Sequence, residues 1–195
     1  MFFAFFVAAG LIYGWVRGGS LYKLAHLPLR YGWVIVLALA TKAVIFSSLF
    51  AESSLSSLAP PIYLLVNLLL LAGILFNRSL PGMKLIGLGL LLNFVAIAAN
   101  GGYMPVSPAA LEAAGHVEDA ARLRSAGKLV TVREMTDDTK LALLGDRFAL
   151  PPPLPFRGAI SIGDVLIGAG AFWLVAQGMH GMQERQRRTD VARAG

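Results

Sequence analysis

Long uninterrupted apolar runs, rather than alternation or a one-sided helical stripe, dominate this chain. Five stretches, at about 2–16, 31–50, 60–76, 81–99 and 159–180, are almost free of charge. Each is close to the roughly 17–25 residues a membrane-crossing helix needs, the first being the shortest. The pattern predicts an all-α integral membrane protein with five transmembrane helices. Polar residues concentrate between the fourth and fifth stretches, where a mostly helical outer loop is expected. The chain accordingly divides into a four-helix region at 1–100, an extracytoplasmic loop subdomain at 101–158, a fifth helix at 159–182 and a basic tail at 183–195.

Local punctuation subdivides the loop. Ser107-Pro108 places a capping hydroxyl before a proline in the first helical turn, and Gly115 ends the segment. A second helix is expected from Val117 to Ala126, stopped by Gly127, then a strand or extended segment from Lys128 to Met135. Thr136-Asp137-Asp138 suggests the cap of a third helix ending at Gly145. Pro151 to Pro155 should return the chain to the membrane as a stiff extended strap. In the first stretch Gly10, Gly14 and Gly18 recur every fourth residue, a face on which another helix can approach closely.

Composition supports the same reading. Of 195 residues, 56% are hydrophobic and 14% charged, and the mean hydropathy is +0.67. A water-soluble fold of this length buries only about 65–75% of its unfolded surface, too little to hide so much apolar area. The absence of cysteine excludes disulfides, iron–sulfur clusters, thiolate zinc sites and a cysteine nucleophile. The net charge of +6 matters through its placement. Arg17, Lys23 and Arg30, then Arg78 and Lys84, then Arg185, Arg187, Arg188 and Arg193 fall in alternate connections and so on one side. The positive-inside bias makes that side cytoplasmic, with the N-terminus and the 101–158 loop outside and the C-terminus inside a cell membrane. The basic tail is expected to touch anionic lipid head groups rather than nucleic acid. Tyr13, Trp15, Tyr22, Tyr31 and Trp33 fit an interfacial aromatic belt on the inner side.

Three motifs in order carry a resemblance: Asn100-Gly101-Gly102-Tyr103-Met104-Pro105, Leu144-Gly145-Asp146 and Ser161-Ile162-Gly163-Asp164. The chain resembles a bacterial family of small multi-pass membrane proteins of unknown function. The resemblance implies the class and lends no chemistry.

The costly residues well inside the apolar stretches are Lys42, Asn67, Asn93 and Asp164. Charge near the bilayer centre costs about 2.5–3.5 kcal/mol on insertion scales, so such residues seek a partner. Counted from the outer ends of their stretches, all four lie roughly 8–12 Å deep at 1.5 Å per residue. One cluster is therefore expected, with Lys42 and Asp164 as an ion pair assisted by the asparagines. It is either a structural clasp or a ligand, ion or lipid head-group site opening outward. Asn100 at the exit of the fourth helix and Asp146 in the loop complete the candidate set. Asn100 reads as a helix end or, with its glycines, an anion site, and Asp146 as part of a lid.

His26, His116 and His180 are scattered, and no metal site, cofactor-binding site or cofactor is expected. Catalytic residues cannot be assigned from the sequence, which leans away from an enzyme. The leading expectation is a non-enzymatic accessory subunit or a lipid- or ligand-binding scaffold, with the bilayer, other membrane subunits or further copies of itself as partners. The alternatives are a small oligomeric transporter or channel, and a membrane-embedded enzyme acting on a lipid-linked substrate.

Overall fold

The computed structural model describes residues 2–153 and 156–181. The basic tail and the end of the proline strap lie outside the described residues. In chain order the helices are α1 (Phe2–Val16), α2 (Leu21–Ala25), α3 (Gly32–Ile45), α4 (Ser48–Ala51), α5 (Ala59–Phe76), α6 (Met83–Ala99), α7 (Pro108–Ala113), α8 (Val117–Ala126) and α9 (Ile162–Gly178). The strands are β1 (Met104–Val106), β2 (Lys128–Leu129), β3 (Val132–Glu134), β4 (Phe148–Leu150) and β5 (Gly158–Ile160). The protein is mostly helical, and a helix occupies each of the five apolar stretches. With the 3-10 turn before it, α5 forms a continuous helix Ser56–Phe76, long and apolar enough by length and composition to cross a membrane. The apolar helices α1, α3, α6 and α9 are shorter, at 15, 14, 17 and 17 residues. By length, the five-span expectation is therefore met in one helix only.

The five apolar helices form a row in the order α3, α5, α6, α9, α1, with the last helix in the chain lying between α6 and the first. Glycine sets the spacing around α9. Gly163 and Gly170 face α6, where Gly89 and Gly82 answer them, and a Cβ at any of the four would strike opposing backbone or side-chain atoms. Gly168 turns the other way, against Phe6 of α1, and Gly10 of α1 sits where a Cβ would lie 2.9 Å from the Phe172 carbonyl oxygen. Gly10 and Gly14 thus form a packing face. Gly18, expected with them, lies past the helix end at φ +76°, where an added Cβ would meet nothing within 4 Å, and it makes a turn instead. The main apolar core is built by Val66, Leu70 and Ile74 of α5 with Met83, Ile86 and Leu90 of α6.

Two helix-ending asparagines repeat one device. Asn77, at the end of α5, accepts from the Arg30 backbone N–H at 2.8 Å and donates to the Arg30 carbonyl at 2.8 Å and the Gly73 carbonyl four residues back. At the end of α6, Asn100 accepts from Lys140 N–H at 3.2 Å and donates to the Lys140 and Ala96 carbonyls, each at 2.8 Å. Each buried amide binds both the N–H and the carbonyl of one residue in a distant segment, Asn77 at the far end of α5 and Asn100 at the loop end of α6.

The 101–158 loop is a mixed α/β layer, not the mostly helical one expected. β1 pairs in parallel with β3, β2 pairs antiparallel with β3, and β4 pairs antiparallel with β5. Helix α7 is capped by Ser107, and α8 stops at Gly127 in the left-handed conformation. The third expected helix is absent: Thr139 Oγ1 takes the Thr136 N–H in a local turn, and only a 3-10 turn at Ala142–Leu144 precedes Gly145. The layer rests on the ends of α5 and α6, where Met104 packs with Tyr63, Ala96 and Ile97. Gly102, at φ +90°, lets its backbone approach Pro60, to which a Cβ would come within 2.8 Å. Phe156 contacts Phe2 and Phe5 of α1 on the return.

Candidate functional site

The cavity that gathers most of the polar residues is about 420 Å³ and lies beneath the loop layer, lined by all five helices of the row. Its polar lining is Lys42, Tyr63, Asn67, Asn93, Asp146 and Asp164, so five of the six sequence candidates surround one space. Asn100 does not line it, because its amide is spent on Lys140 and Ala96 as described above.

Each helix places its residue by a distinct local bond. On α5 the Asn67 amide donates to the Tyr63 carbonyl one turn back at 2.7 Å, leaving its oxygen to accept from Lys42 Nζ of α3 at 3.3 Å. The Lys42 ammonium also sits 5.0 Å from the centroid of the Tyr63 ring, a cation–π contact. On α9 a capping box orients Asp164. Ser161 Oγ accepts from the Asp164 N–H, and Asp164 Oδ2 accepts from the Ser161 N–H, both at 3.0 Å. Asp164 Oδ1 accepts from Asn93 Nδ2 of α6 at 2.9 Å, while Ser161 Oγ donates to Asn93 Oδ1 at 2.9 Å. Gly163 makes this possible, since a Cβ there would occupy the place of the Asn93 side-chain oxygen.

The expected Lys42–Asp164 ion pair is replaced by two separate polar pairs, Lys42–Asn67 across α3 and α5 and Asn93–Asp164 across α6 and α9. The physical reason is the row: two helices stand between α3 and α9, and each charge finds its amide on the nearer neighbour.

Asp146 enters from the loop. Its N–H donates to the Pro105 carbonyl at 2.8 Å and its carbonyl accepts from Ser107 N–H at 2.9 Å, locking Leu144-Gly145-Asp146 beside β1. Gly145 is needed there because a Cβ would come within 2.7 Å of the Pro105 carbonyl oxygen. Asp146 Oδ1 is shut off from solvent and has no hydrogen-bond partner. Burial, reinforced by the Asp164 charge and only partly offset by Lys42, pushes the Asp146 carboxyl well above the usual carboxylate range. The three motifs that carried the resemblance therefore build one construction: Met104 and Asp146 form its roof, and Asp164 one wall.

Four of the apolar lining residues follow a rule across four helices, while Phe3, Phe46 and Met104 line the loop side of the cavity. Leu39, Leu70, Leu90 and Ile167 line the cavity three positions from Lys42, Asn67, Asn93 and Asp164, always on the side away from the loop. Three residues of helix rise about 4.5 Å, so a polar ring lies above an apolar ring. The cavity draws on Phe3 of α1 as well as on α3, the two ends of the row, and these ends do not pack extensively against each other.

Sequence reasoning did not single out Tyr63 or the hydrogen-bonding part of Ser161. Tyr63 lies one turn before Asn67 and could have been found as its helix-face neighbour; Ser161 was visible only as a motif member.

A relative from Thermotoga maritima, an uncharacterized protein, is 30% identical over 98 residues, covering 50% of this chain and 52% of its own length. The match thus spans about half of that relative. No solved structure matches the chain. The model of a family of unknown function, DUF5317, matches residues 26–176, which contain all three motifs and every polar residue of the cavity. The chain belongs to that family.

Proposed function

We propose that this chain is a multi-pass cell-membrane protein with five spans, that its loop layer faces outward, and that it binds an amphiphile in the outer half of the bilayer. Its role is that of a non-enzymatic lipid-binding scaffold or accessory subunit. The observation that carries the reading is the stacked lining: a polar ring under the loop and an apolar ring one turn deeper, each drawn from the same four helices. Such a gradient matches a polar head joined to a hydrocarbon chain and suits neither a wholly polar nor a wholly apolar ligand.

The membrane setting is supported by the outer surface of the helix row. Large apolar side chains stand exposed on every long helix, among them Ile12, Trp15, Val36, Leu65, Leu75, Leu88 and Trp173. Helices of 14–18 residues rise about 21–27 Å, somewhat less than a hydrocarbon core of about 30 Å, a mismatch met by local thinning and by anchoring residues. Tyr13, Trp15, Tyr22, Tyr31 and Trp33 are all exposed at the end away from the loop, as an interfacial belt requires. Arg17, Lys23, Arg30, Arg78 and Lys84 lie at that same end, which supports the orientation with the loop layer outside.

Native mass spectrometry of protein purified in mild detergent tests the reading. About one retained lipid per chain is expected, and Leu39→Trp or Ala171→Phe, which fill the apolar ring, should reduce it severalfold while the protein stays folded. Wild-type protein that retains and rebinds no lipid would overturn the proposal. A second reading, acid–base chemistry on a lipid-linked substrate, is favoured by the Asp146 carboxyl, which burial and Asp164 raise above the usual carboxylate range. Conversion of the bound lipid into a new product over time would establish it.

A further inference from the structure

The polar ring is incompletely satisfied, and what it lacks identifies the head group. Both oxygens of Asp164 already accept a hydrogen bond, from Asn93 and from the Ser161 backbone. Lys42 has one N–H placed on Asn67 Oδ1, leaving donors for a further acceptor. Asp146 Oδ1 is buried without a donor. A buried polar atom left unpaired is costly, and its most direct satisfaction is a donor brought by a ligand. The charges facing the cavity are Lys42 from α3 against Asp146 from the loop and Asp164 from α9. Tyr63 from α5 is the other titratable group, while α1, α6 and β1 contribute the uncharged Phe3, Asn93 and Met104. Once Asp146 is ionised, the cavity sets two carboxylates against one ammonium and is short of one cation bearing N–H donors, while Lys42 offers its own ammonium to an anion.

We propose that the amphiphile is a zwitterionic lipid with a primary-amine head group, an aminophospholipid, whose ammonium donates to the Asp146 carboxylate and whose phosphate accepts from Lys42 Nζ. The assignment rests on the amphiphile reading above and deepens it. The acyl chains run past Leu39 and Leu70 and leave the bundle between α1 and α3, where the row is open. The cavity is too small for an entire phospholipid, so this gap is required.

Proton linkage gives the site a signature. Burial and the neighbouring Asp164 strengthen the hold of the Asp146 carboxyl on its proton when no ligand is bound. An ammonium favours the ionised form, so binding releases that proton and affinity rises with pH until Asp146 is ionised without the ligand. An anionic lipid lacking the amine would show the opposite trend.

The test uses full-length, delipidated protein in detergent. Phosphatidylethanolamine, its N-methyl and N,N-dimethyl derivatives, phosphatidylcholine and phosphatidylglycerol with identical acyl chains are titrated at pH 6 and pH 8, and adducts are counted by native mass spectrometry. Phosphatidylethanolamine should bind about tenfold tighter than phosphatidylcholine or phosphatidylglycerol. The methylated derivatives should be weakened as N–H donors are removed, and the preference should be larger at pH 8. Asp146→Asn should bring the preference close to one. The methylation series needs only wild-type protein, so it stands even if that variant fails to fold. Binding of phosphatidylglycerol or phosphatidylcholine equal to or tighter than phosphatidylethanolamine, or an undiminished preference in folded Asp146→Asn, would overturn the assignment. If another lipid is bound in a manner sensitive to Leu39→Trp, the amphiphile reading survives and only the head group is wrong. If wild-type protein takes up none of these lipids and retains none on purification, the amphiphile reading itself fails.

Discussion

Gly163 is the position at which one methyl group does the most damage. A Cβ there meets both the Asn93 side chain and the Gly89 carbonyl oxygen, the latter at 2.7 Å. Gly163→Ala should push α9 from α6, break the Asn93–Asp164 bond and cost about 1–3 kcal/mol, the usual range for overpacking. Melting in detergent would register the loss, and an unchanged midpoint would contradict the packing described. Asp146 makes a second prediction, with a definite sign. A carboxyl whose folded pKa is raised binds more protons folded than unfolded, so in the ligand-free protein its contribution to stability falls as pH rises. The loss begins above the ordinary aspartate range and is complete above the raised value. Relative to wild type, Asp146→Asn should therefore gain stability as the pH is raised from acid to neutral. A difference independent of pH would mean that Asp146 is not perturbed. Much of this site was legible in the sequence because helix rise converts residue number into depth, and four polar residues shared one depth. Their pairing was not legible, since depth says nothing of which helix neighbours which. Tyr63 escaped notice because an aromatic residue among apolar ones carries no separate signal.

At the scale of elements, the asparagines that end α5 and α6 hold the structure across long sequence separations. Asn100→Ala removes three hydrogen bonds and leaves the Lys140 peptide unpaired, so roughly 2–3 kcal/mol of loop anchoring should disappear. Limited proteolysis would detect this as faster cutting near Lys140 with the helical region intact, and an unaltered digest would show the clip to be dispensable. Asn100 was visible in the sequence only as a helix end or an anion site, because its partner is a backbone unit 40 residues away and backbone has no sequence signature. The two loop helices were readable from Ser107-Pro108, Gly115 and Gly127, each of which acts locally. The third failed for a comparable reason. Thr136-Asp137-Asp138 offers capping oxygens, but Thr139 supplies a competing turn bond and Gly145 is held against Pro105 by contacts from outside the segment.

For the whole molecule, the lack of cysteine makes the proposed orientation simple to examine. Single cysteines at the exposed positions Ser57 and Ser125 should react with an impermeant maleimide in intact cells, and one at the exposed Ser79 should react only after permeabilisation. Labelling of Ser79 from outside would reverse the orientation and would place the amphiphile in the inner leaflet. The five apolar runs could be read from the sequence as helices because their hydrophobicity is continuous. The order of the row could not, since glycine spacing marks a close approach without naming the partner.

The place of α9 in that row has a consequence for how the protein is made. The first helix finds its principal packing partner in the last, more than 140 residues later in synthesis. In the proposed membrane setting, until α9 leaves the ribosome the Gly10 and Gly14 face of α1 has only lipid or the insertion machinery against it, and Asn93 waits in α6 without Asp164. The entire loop layer must reach its own side of the membrane before either gap is filled. If that setting holds, assembly ends in a late closing step, and a chain interrupted before residue 162 would leave α1 without its partner and the Asn93 amide facing hydrocarbon.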